Sequence, residues 1–291
     1  MSAGSSGAAA DGPTYRVPAS TAVRTLDVLA MGSLLAEQVI HVARHPGPGQ
    51  GSIPIRALAS GTGGGAANVA AVTARLGGRA AILAATGDGP RARALLADLA
   101  TAGVDTTPVI VRPGHDADLL VLLADPAGDW VALEHLDPAL PMRDDDLGPS
   151  IPFADATWFH VDGYAHHTAG SQAAVDVAVG RARAAGCAIS VDAAVPSSHA
   201  DPAYLRSLYA RADLAFANRA EAAAVTGADD DDAMLDALLA LGPTVAVLKC
   251  GADGSLVATS AGRARLPAFP TAVVDSVAAG DAYVAAVLLG L

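Results

Sequence analysis

Lysine and glutamate are nearly missing from this chain. It has one lysine, Lys249, beside 17 arginines, and three glutamates, Glu37, Glu134 and Glu221, beside 27 aspartates. The formal net charge of −12 leaves no basic footprint to neutralise a phosphate backbone, so nucleic acid is excluded as a partner. Small phosphorylated ligands are not excluded, because free N–H groups at a helix N-terminus hold an anion even in an acidic protein. A P-loop is excluded: no G-x-x-x-x-G frame precedes Lys249, and Cys250-Gly251 follow it. Two cysteines, Cys187 and Cys250, exclude a disulfide scaffold and fit a reducing compartment. No apolar run reaches the ~18 residues a membrane helix needs. Residues 1–25 lack the basic and apolar segments of a secretory signal. They read as a flexible tail, and the expected location is the cytoplasm.

What the chain has in excess is small apolar residue. About a quarter is alanine, 52% is hydrophobic and only 16% is charged, so much of it must be buried. Short apolar runs at Val28–Met31, Ala80–Ala84, Thr157–Val161, Ala188–Val191, Leu214–Ala217 and Val245–Leu248 read as buried strands. Between most of them lie stretches of helical spacing, Asn68–Leu76, Arg91–Ala102, Ser171–Ala185 and Ala233–Leu241, and glycine follows each at 77, 103, 186 and 242. Strands separated by helices predict an α/β fold with a mostly parallel sheet covered on both faces. Residues 38–60 and 117–136 break the rhythm. The second reads as a hairpin, Leu119–Ala124 and Trp130–Glu134 about a Pro126–Gly128 turn. The Asp229–Asp232 run reads as the opening of a helix.

Two segments carry candidate chemistry. Gly61-Thr62-Gly63-Gly64-Gly65-Ala66 fits the dinucleotide pattern G-x-G-x-x-A, but that pattern should follow the first strand and be answered by an acidic residue ending the next. Here the next strand runs into Ala85-Thr86. A better reading puts Gly63 and Gly64 at a turn where backbone approaches a ligand, with Asn68 at a helix start. An asparagine donates and accepts at once, which suits vicinal hydroxyls, although it also serves as a plain helix cap. The second segment is Asp275-Ser276-Val277-Ala278-Ala279-Gly280-Asp281 before an apolar helix. Its small residues leave the amides of Ala278, Ala279 and Gly280 open at a helix N-terminus, an anion hole, with Asp281 beside it. A carboxylate base next to an anion cradle is the minimum equipment for moving a phosphoryl group to an alcohol. In isolation Asp281 reads equally as a cap.

Together these segments resemble the PfkB/ribokinase family of carbohydrate kinases. The glycine segment with Asn68-Val69-Ala70 and Arg75-Leu76-Gly77-Gly78 resembles its first motif, and Asp275–Asp281 its second. Between them, Asn218-Arg219-Ala220-Glu221 resembles its N-x-x-E motif, and Lys249-Cys250-Gly251-Ala252-Asp253-Gly254 the turn before a nucleotide-binding hairpin. The resemblance runs from about residue 26 to the end. It implies a three-layer α/β/α core with a small β-sheet lid, from residues 38–60 and 117–136, through which family members often form homodimers. It implies transfer of the ATP γ-phosphoryl group to a hydroxymethyl group, with Asp281 as general base and the amides of Ala278, Ala279 and Gly280 holding the developing charge. Asn218 and Glu221 would organise Mg²⁺ and phosphates through water. Lys249, Gly251 and Gly254 would lie near the nucleotide, and Asp275 in a loop binding a monovalent cation such as K⁺. Gly63, Gly64 and Asn68 would face the sugar.

The chain departs from the family in three places. Glu37 stands where members use Asp to bind sugar hydroxyls. Gly65 replaces the lysine of ribokinase. The chain ends at Leu291, where members continue through helices that complete the adenine pocket, so a short C-terminus and an incomplete pocket are expected. Three other readings stay open: a nucleoside kinase of the same fold with Trp130 or Tyr164 as stacking ring, a weakly catalytic ligand-binding pseudokinase, and a dinucleotide oxidoreductase.

Overall fold

The chain opens with β1 (Leu26–Met31), then leaves the core for a long hairpin, β2 (Leu35–Val42) and β3 (Ile55–Gly63). It returns through α1 (Gly65–Arg75) to β4 (Ala80–Leu83), β5 (Ala85–Gly87), α2 (Pro90–Thr101) and β6 (Ile110–Arg112). A second hairpin follows, β7 (Asp118–Ala124) and β8 (Trp130–His135). The chain then alternates through β9 (Ala156–Val161), α3 (Ala169–Ala184), β10 (Ala188–Asp192), α4 (Pro202–Tyr209), β11 (Leu214–Asn218), α5 (Arg219–Thr226), α6 (Asp231–Leu241) and β12 (Val245–Lys249). It closes with the hairpin β13 (Ser255–Thr259) and β14 (Gly262–Leu266), and with α7 (Ala279–Gly290). This is a computed structural model, and it describes residues 23–49, 51–126, 129–193, 201–273 and 276–291.

The main sheet has eight strands in the order β14-β13-β12-β11-β10-β9-β1-β4. The six from β12 to β4 run parallel, and β13 and β14 add an antiparallel edge. The parallel strands are the six apolar runs of the sequence. They are apolar throughout because both faces are covered. On one face Phe159, Ile189, Leu205, Leu208, Leu235 and Leu238 pack under α3–α6. On the other, Trp158, Phe216, Val247, Val284 and Leu288 pack under α1, α2 and α7. Burial of each large apolar side chain contributes about 1.5–3 kcal/mol, so these two layers hold the sheet between them. The result is an α/β/α sandwich.

β1 lies one strand in from the sheet edge, and the chain goes first to β4 on one side and later to β9 on the other. The junction of β1 and β9 is therefore a topological switch point, where adjacent connections leave in opposite directions and a crevice opens at the C-terminal strand ends. Both hairpins of the second sheet stand off from this core. That sheet has the order β3-β2-β7-β8. Residues 38–60 and 117–136 supply most of it, but the sheet begins earlier, at Leu35, and runs to Gly63. Register puts Ile40, Leu58, Leu123 and Val131 in one row, and Gln38, Ser60, Val121 and Leu133 in a row on the same face. Glu37, Gly61, Leu120 and Glu134 form a row on the opposite face.

One local reading changes and another holds. Within the stretch expected to be tail, Arg24 is tied down: its guanidinium donates to the carbonyls of Ala154 at 2.6 Å and Ala185 at 2.9 Å. Residues 1–22 lie outside the described residues. The Asp229–Asp232 run does open a helix, with Asp230 as N-cap accepting from Ala233 N at 2.9 Å. Among the described residues no group of three or more acidic, His or Cys side chains is placed to hold a metal ion, and no helix is long and apolar enough to cross a membrane.

Candidate active site

The residues singled out in the sequence converge on the C-terminal edge of the parallel strands. β9 is followed by Asp162, β10 ends at Asp192, β11 at Asn218 and β12 at Lys249, while β1 runs out through Gly32 into Ser33. The N-termini of α1 and α7 point at the same edge.

α1 starts at Gly65, with Gly64 as N-cap, so Asn68 lies inside the first turn and is not a cap. The glycines there allow close packing against protein. Gly64 has φ 101°, and a Cβ on it would lie 2.4 Å from the Ser33 carbonyl oxygen. A Cβ on Gly65 would lie 2.7 Å from the Asp162 carboxylate, and one on Gly63 2.7 Å from Glu37 Oε2. Asp162 acts as the anion at this helix end: it accepts from Ser33 N at 3.2 Å, Ser33 Oγ at 2.6 Å and Ala66 N at 3.3 Å. Gly65 N in turn donates to Ser33 Oγ at 2.9 Å. The N-terminus of α1 is thus already satisfied. Glycine at 65 makes room for Asp162.

Asn68 has another task. Its side-chain Nδ2 donates to Asp281 Oδ2 at 2.8 Å, joining the two glycine-rich segments across 213 positions of sequence. Asp281 is the third residue of α7 and is half-buried. Burial pushes its carboxyl up to about 7, and the neighbouring Asp162 adds to the rise. The Asn68 amide and Lys249 pull the other way. A half-buried carboxylate poised near neutrality suits a general base.

The hole beside it is narrower than the sequence suggests. Ala278 is the N-cap of α7, in the left-handed region at φ 58°, the only non-glycine with positive φ among the described residues. Ala279 N donates to Ser276 O at 3.3 Å, so that amide is taken. Among the described residues the amides of Ala278 and Gly280 donate to no protein acceptor. Among the described residues the anion hole therefore has two N–H groups without a protein acceptor, not three. Strain of this kind, worth roughly 1–3 kcal/mol, gathers where backbone must be held for a task. Asp275 lies outside the described residues.

Asn218 and Glu221 form a reciprocal capping box on α5. Glu221 N donates to Asn218 Oδ1 at 2.9 Å and Asn218 N to Glu221 Oε2 at 2.6 Å. Glu221 is not an exposed helix residue but 91% buried, and burial with Asp192 nearby pushes its carboxyl up to about 8. Gly251 and Gly254 shape the turn after β12, both at positive φ. A Cβ on Gly254 would lie 2.0 Å from the Leu266 carbonyl oxygen, so only glycine lets the β13–β14 hairpin close. Lys249 is not a surface residue. Its ammonium is buried against Asp192, at 2.7 Å from Oδ1 and 2.6 Å from Oδ2.

Sequence reasoning missed Ser33, Asp162 and Asp192. Nothing marks them locally, although each follows or ends an apolar strand, which is where open α/β sheets place ligand-facing residues. Tyr164, named as a stacking ring, is 46% exposed and packs edge-on against His167 with ring centres 4.8 Å apart. Burial of its hydroxyl, with Asp162, Glu221, Glu134 and Asp281 adding charge, pushes the phenol up to about 12, so it stays a donor. The Trp130 side chain lies outside the described residues.

The glycine pattern follows a strand of the second sheet, not the first strand of a Rossmann unit, which removes the structural context for dinucleotide binding. A cleft of about 710 Å³ runs from Gly61 and Thr62 past Asn68 to Ala278.

Comparisons with known proteins agree with this geometry. Residues 25–291 match the model of the "pfkB family carbohydrate kinase". A fructokinase from Klebsiella pneumoniae is 31% identical over 213 residues, 70% of this chain and 68% of that protein. Among solved structures, a PfkB protein from Polaromonas sp. JS666 is 25% identical with a TM-score of 0.77, covering 92% of this chain and 90% of that one. A putative ribokinase II from E. coli, solved with ATP and Mg²⁺, is 19% identical with a TM-score of 0.77, covering 91% and 87%. With Asn68 of its first glycine segment hydrogen-bonded to Asp281 of its second, the chain belongs to the pfkB family of carbohydrate kinases.

Proposed function

We propose that this kinase transfers the γ-phosphoryl group of ATP to the hydroxymethyl group of a sugar or sugar-like alcohol, with Asp281 as general base. One observation carries the reading: Asp281, half-buried at the N-terminus of α7, is oriented by Asn68 and stands next to the free amides of Ala278 and Gly280. Asn68 occupies Oδ2, which leaves Oδ1 for the substrate. Oδ1 takes the hydroxyl proton as the substrate oxygen bonds to the γ-phosphorus. The bond from that phosphorus to the β,γ-bridging oxygen breaks, and ADP leaves with the electron pair. Developing charge on the transferred group meets the two amides and the helix dipole.

A divalent cation fits Glu221. Its carboxylate is buried with only one oxygen in the capping box, its charge is poorly compensated, and a single carboxylate with waters and phosphates is a common way to hold Mg²⁺. Mg²⁺ there would neutralise the phosphates, and Asn218 would position its water shell. Gly251 and Gly254 would frame the nucleotide, and Asp275 a monovalent cation such as K⁺. Glu37, on the lid face that also bears Glu134, would bind sugar hydroxyls.

Tyr164 favours a second reading, a nucleoside kinase, since a half-exposed ring within the electrostatic reach of Asp162 and Asp281 is a stacking surface for a base. The apolar lid face, with Leu58 54%, Val131 46% and Leu133 53% exposed, fits a second copy of the chain.

The test is ADP release with Mg²⁺-ATP across pentoses, hexoses and nucleosides. Asp281→Asn is expected to lose about 10²–10⁴ in rate. Release unchanged in that variant removes Asp281 as base.

A further inference from the structure

Lys249 and Asp192 lie on β12 and β10, with β11 between them. Asp192 is aligned with Phe216, and Phe216 with Val247, so Lys249 stands two residues further along the same face of the sheet. Its side chain leans back over the intervening strand, across two strand spacings or about 10 Å, to reach the carboxylate. The pair is nearly closed off, with side chains 14% and 10% exposed. The ammonium also lies against α7: a Cβ built on Gly280 would be 3.4 Å from Nζ.

A fully buried ion pair stabilises a fold weakly, because desolvation offsets most of the attraction. This one has features a structural clamp does not need. An ammonium has three donors, and both oxygens of Asp192 engage only part of it. Among the described residues no further acceptor meets it. Glu221, in the first turn of α5, and Asp281, in that of α7, add negative charge around Lys249, the only lysine in the chain. Asp192 and Glu221 more than offset the effect of burial and hold the ammonium charged.

We propose that Asp192 is a positioning residue for phosphoryl transfer: it pins the Lys249 ammonium beneath Gly280, so that the phosphoryl group entering the α7 hole meets a fixed positive charge as well as two amides. Arginine could not replace this lysine, because its planar fork would be satisfied by the carboxylate. The inference rests on the kinase reading above, and its test separates the two.

The whole chain is used, in three variants. Asp192→Asn should lose about 10²-fold in kcat, the scale of one missing transition-state donor, with the sugar KM within about threefold. Asp192→Glu, which keeps the carboxylate, should recover part of that loss. The double variant Asp192→Leu/Lys249→Met replaces the pair by apolar groups, which often preserves stability. It should melt no lower than the parent yet be at least as slow as Asp192→Asn. A double variant that keeps kcat within about threefold of the parent overturns the proposal, since the pair would then be only structural. A loss in Asp192→Asn that lies wholly in sugar KM overturns it too.

The single lysine supplies a readout independent of turnover. Protein grown with ¹⁵Nζ-lysine gives one side-chain signal, expected to shift when Mg²⁺ and the non-hydrolysable analogue AMP-PNP are added. No shift means that the ammonium does not meet phosphate, and the proposal fails. A shift without ADP release from any acceptor leaves the positioning intact and sinks the sugar-kinase reading instead.

Discussion

The hydrogen bond from Asn68 to Asp281 sets the charge state of the base, and its removal has a calculable consequence. In the parent the carboxyl stands at about 7, raised mainly by burial and lowered in part by the Asn68 amide. Asn68→Leu keeps the side chain's bulk and deletes the donor at 2.8 Å. A hydrogen bond to a charged group is worth about 1.5–3 kcal/mol, or roughly one to two pH units of differential stabilisation. The base should then titrate at about 8–9, because losing a donor that favours the carboxylate can only raise its pKa. Activity that needs the carboxylate is lost as pH falls below that value. The acid limb of kcat/KM should therefore move from about 7 in the parent to about 8–9 in the variant. At pH 7 the ionised fraction drops from about one half to about 1–9%, so the variant should be about 5–50-fold slower there and recover most of the difference by about pH 9.5. The assay is coupled ADP release on the preferred acceptor from pH 5 to 10. An acid limb that does not move in Asn68→Leu refutes the coupling. A parent with no acid limb between pH 5 and 9 refutes the burial argument for Asp281.

Other outcomes follow from the same geometry. Glu221→Gln keeps an acceptor for the capping box and removes a buried charge. A raised carboxyl costs stability as pH climbs from its ordinary value through about 8, so this variant should melt a few degrees higher at pH 8.5, be unchanged near pH 4, and need far more Mg²⁺ for activity. Gly64→Ala should lose about 3 kcal/mol or more, seen as a clear drop in Tm, because a Cβ at φ 101° adds backbone strain to a 2.4 Å clash with the Ser33 carbonyl. Ala278→Gly, at φ 58°, should leave Tm within about a degree or raise it, since relief of left-handed strain offsets the added chain entropy. Leu133→Lys, on the exposed lid face, should convert a dimer to monomer by light scattering. A parent that is monomeric at every concentration removes the lid-to-lid contact.

Much of the core was legible because its signals are local. The runs that became β1, β4, β9, β10, β11 and β12 are apolar on both faces, and their boundaries fall within a residue or two of the sequence reading. Glycine marked the helix ends because left-handed backbone is needed there, as at Gly77, Gly103 and Gly186. The hairpin β7–β8 was legible from its turn. The hairpin β2–β3 was not, since its half-exposed strands carry no clean alternation and its loop is long. The site divides the same way. Asp281, Asn218 and Glu221 lie in segments with a recognisable local pattern. Asp162 and Asp192 do not: an aspartate after an apolar run has the same local look whether it faces solvent or a buried ammonium.

Composition and periodicity were enough for a layered α/β chain, for the two glycine-rich segments and for an acid at a helix N-terminus, because each depends on residues within a few positions of one another. Which acid faces which donor depended on the order of strands. Crossovers bring Asn68 to Asp281 and Asp192 to Lys249, partners 213 and 57 positions apart, onto one edge of one sheet. The folded backbone also decided that the α1 amides are spent on Ser33 and Asp162 while two at α7 stay free. An amide is available only where no neighbouring acceptor reaches it, and that is a matter of distances through space.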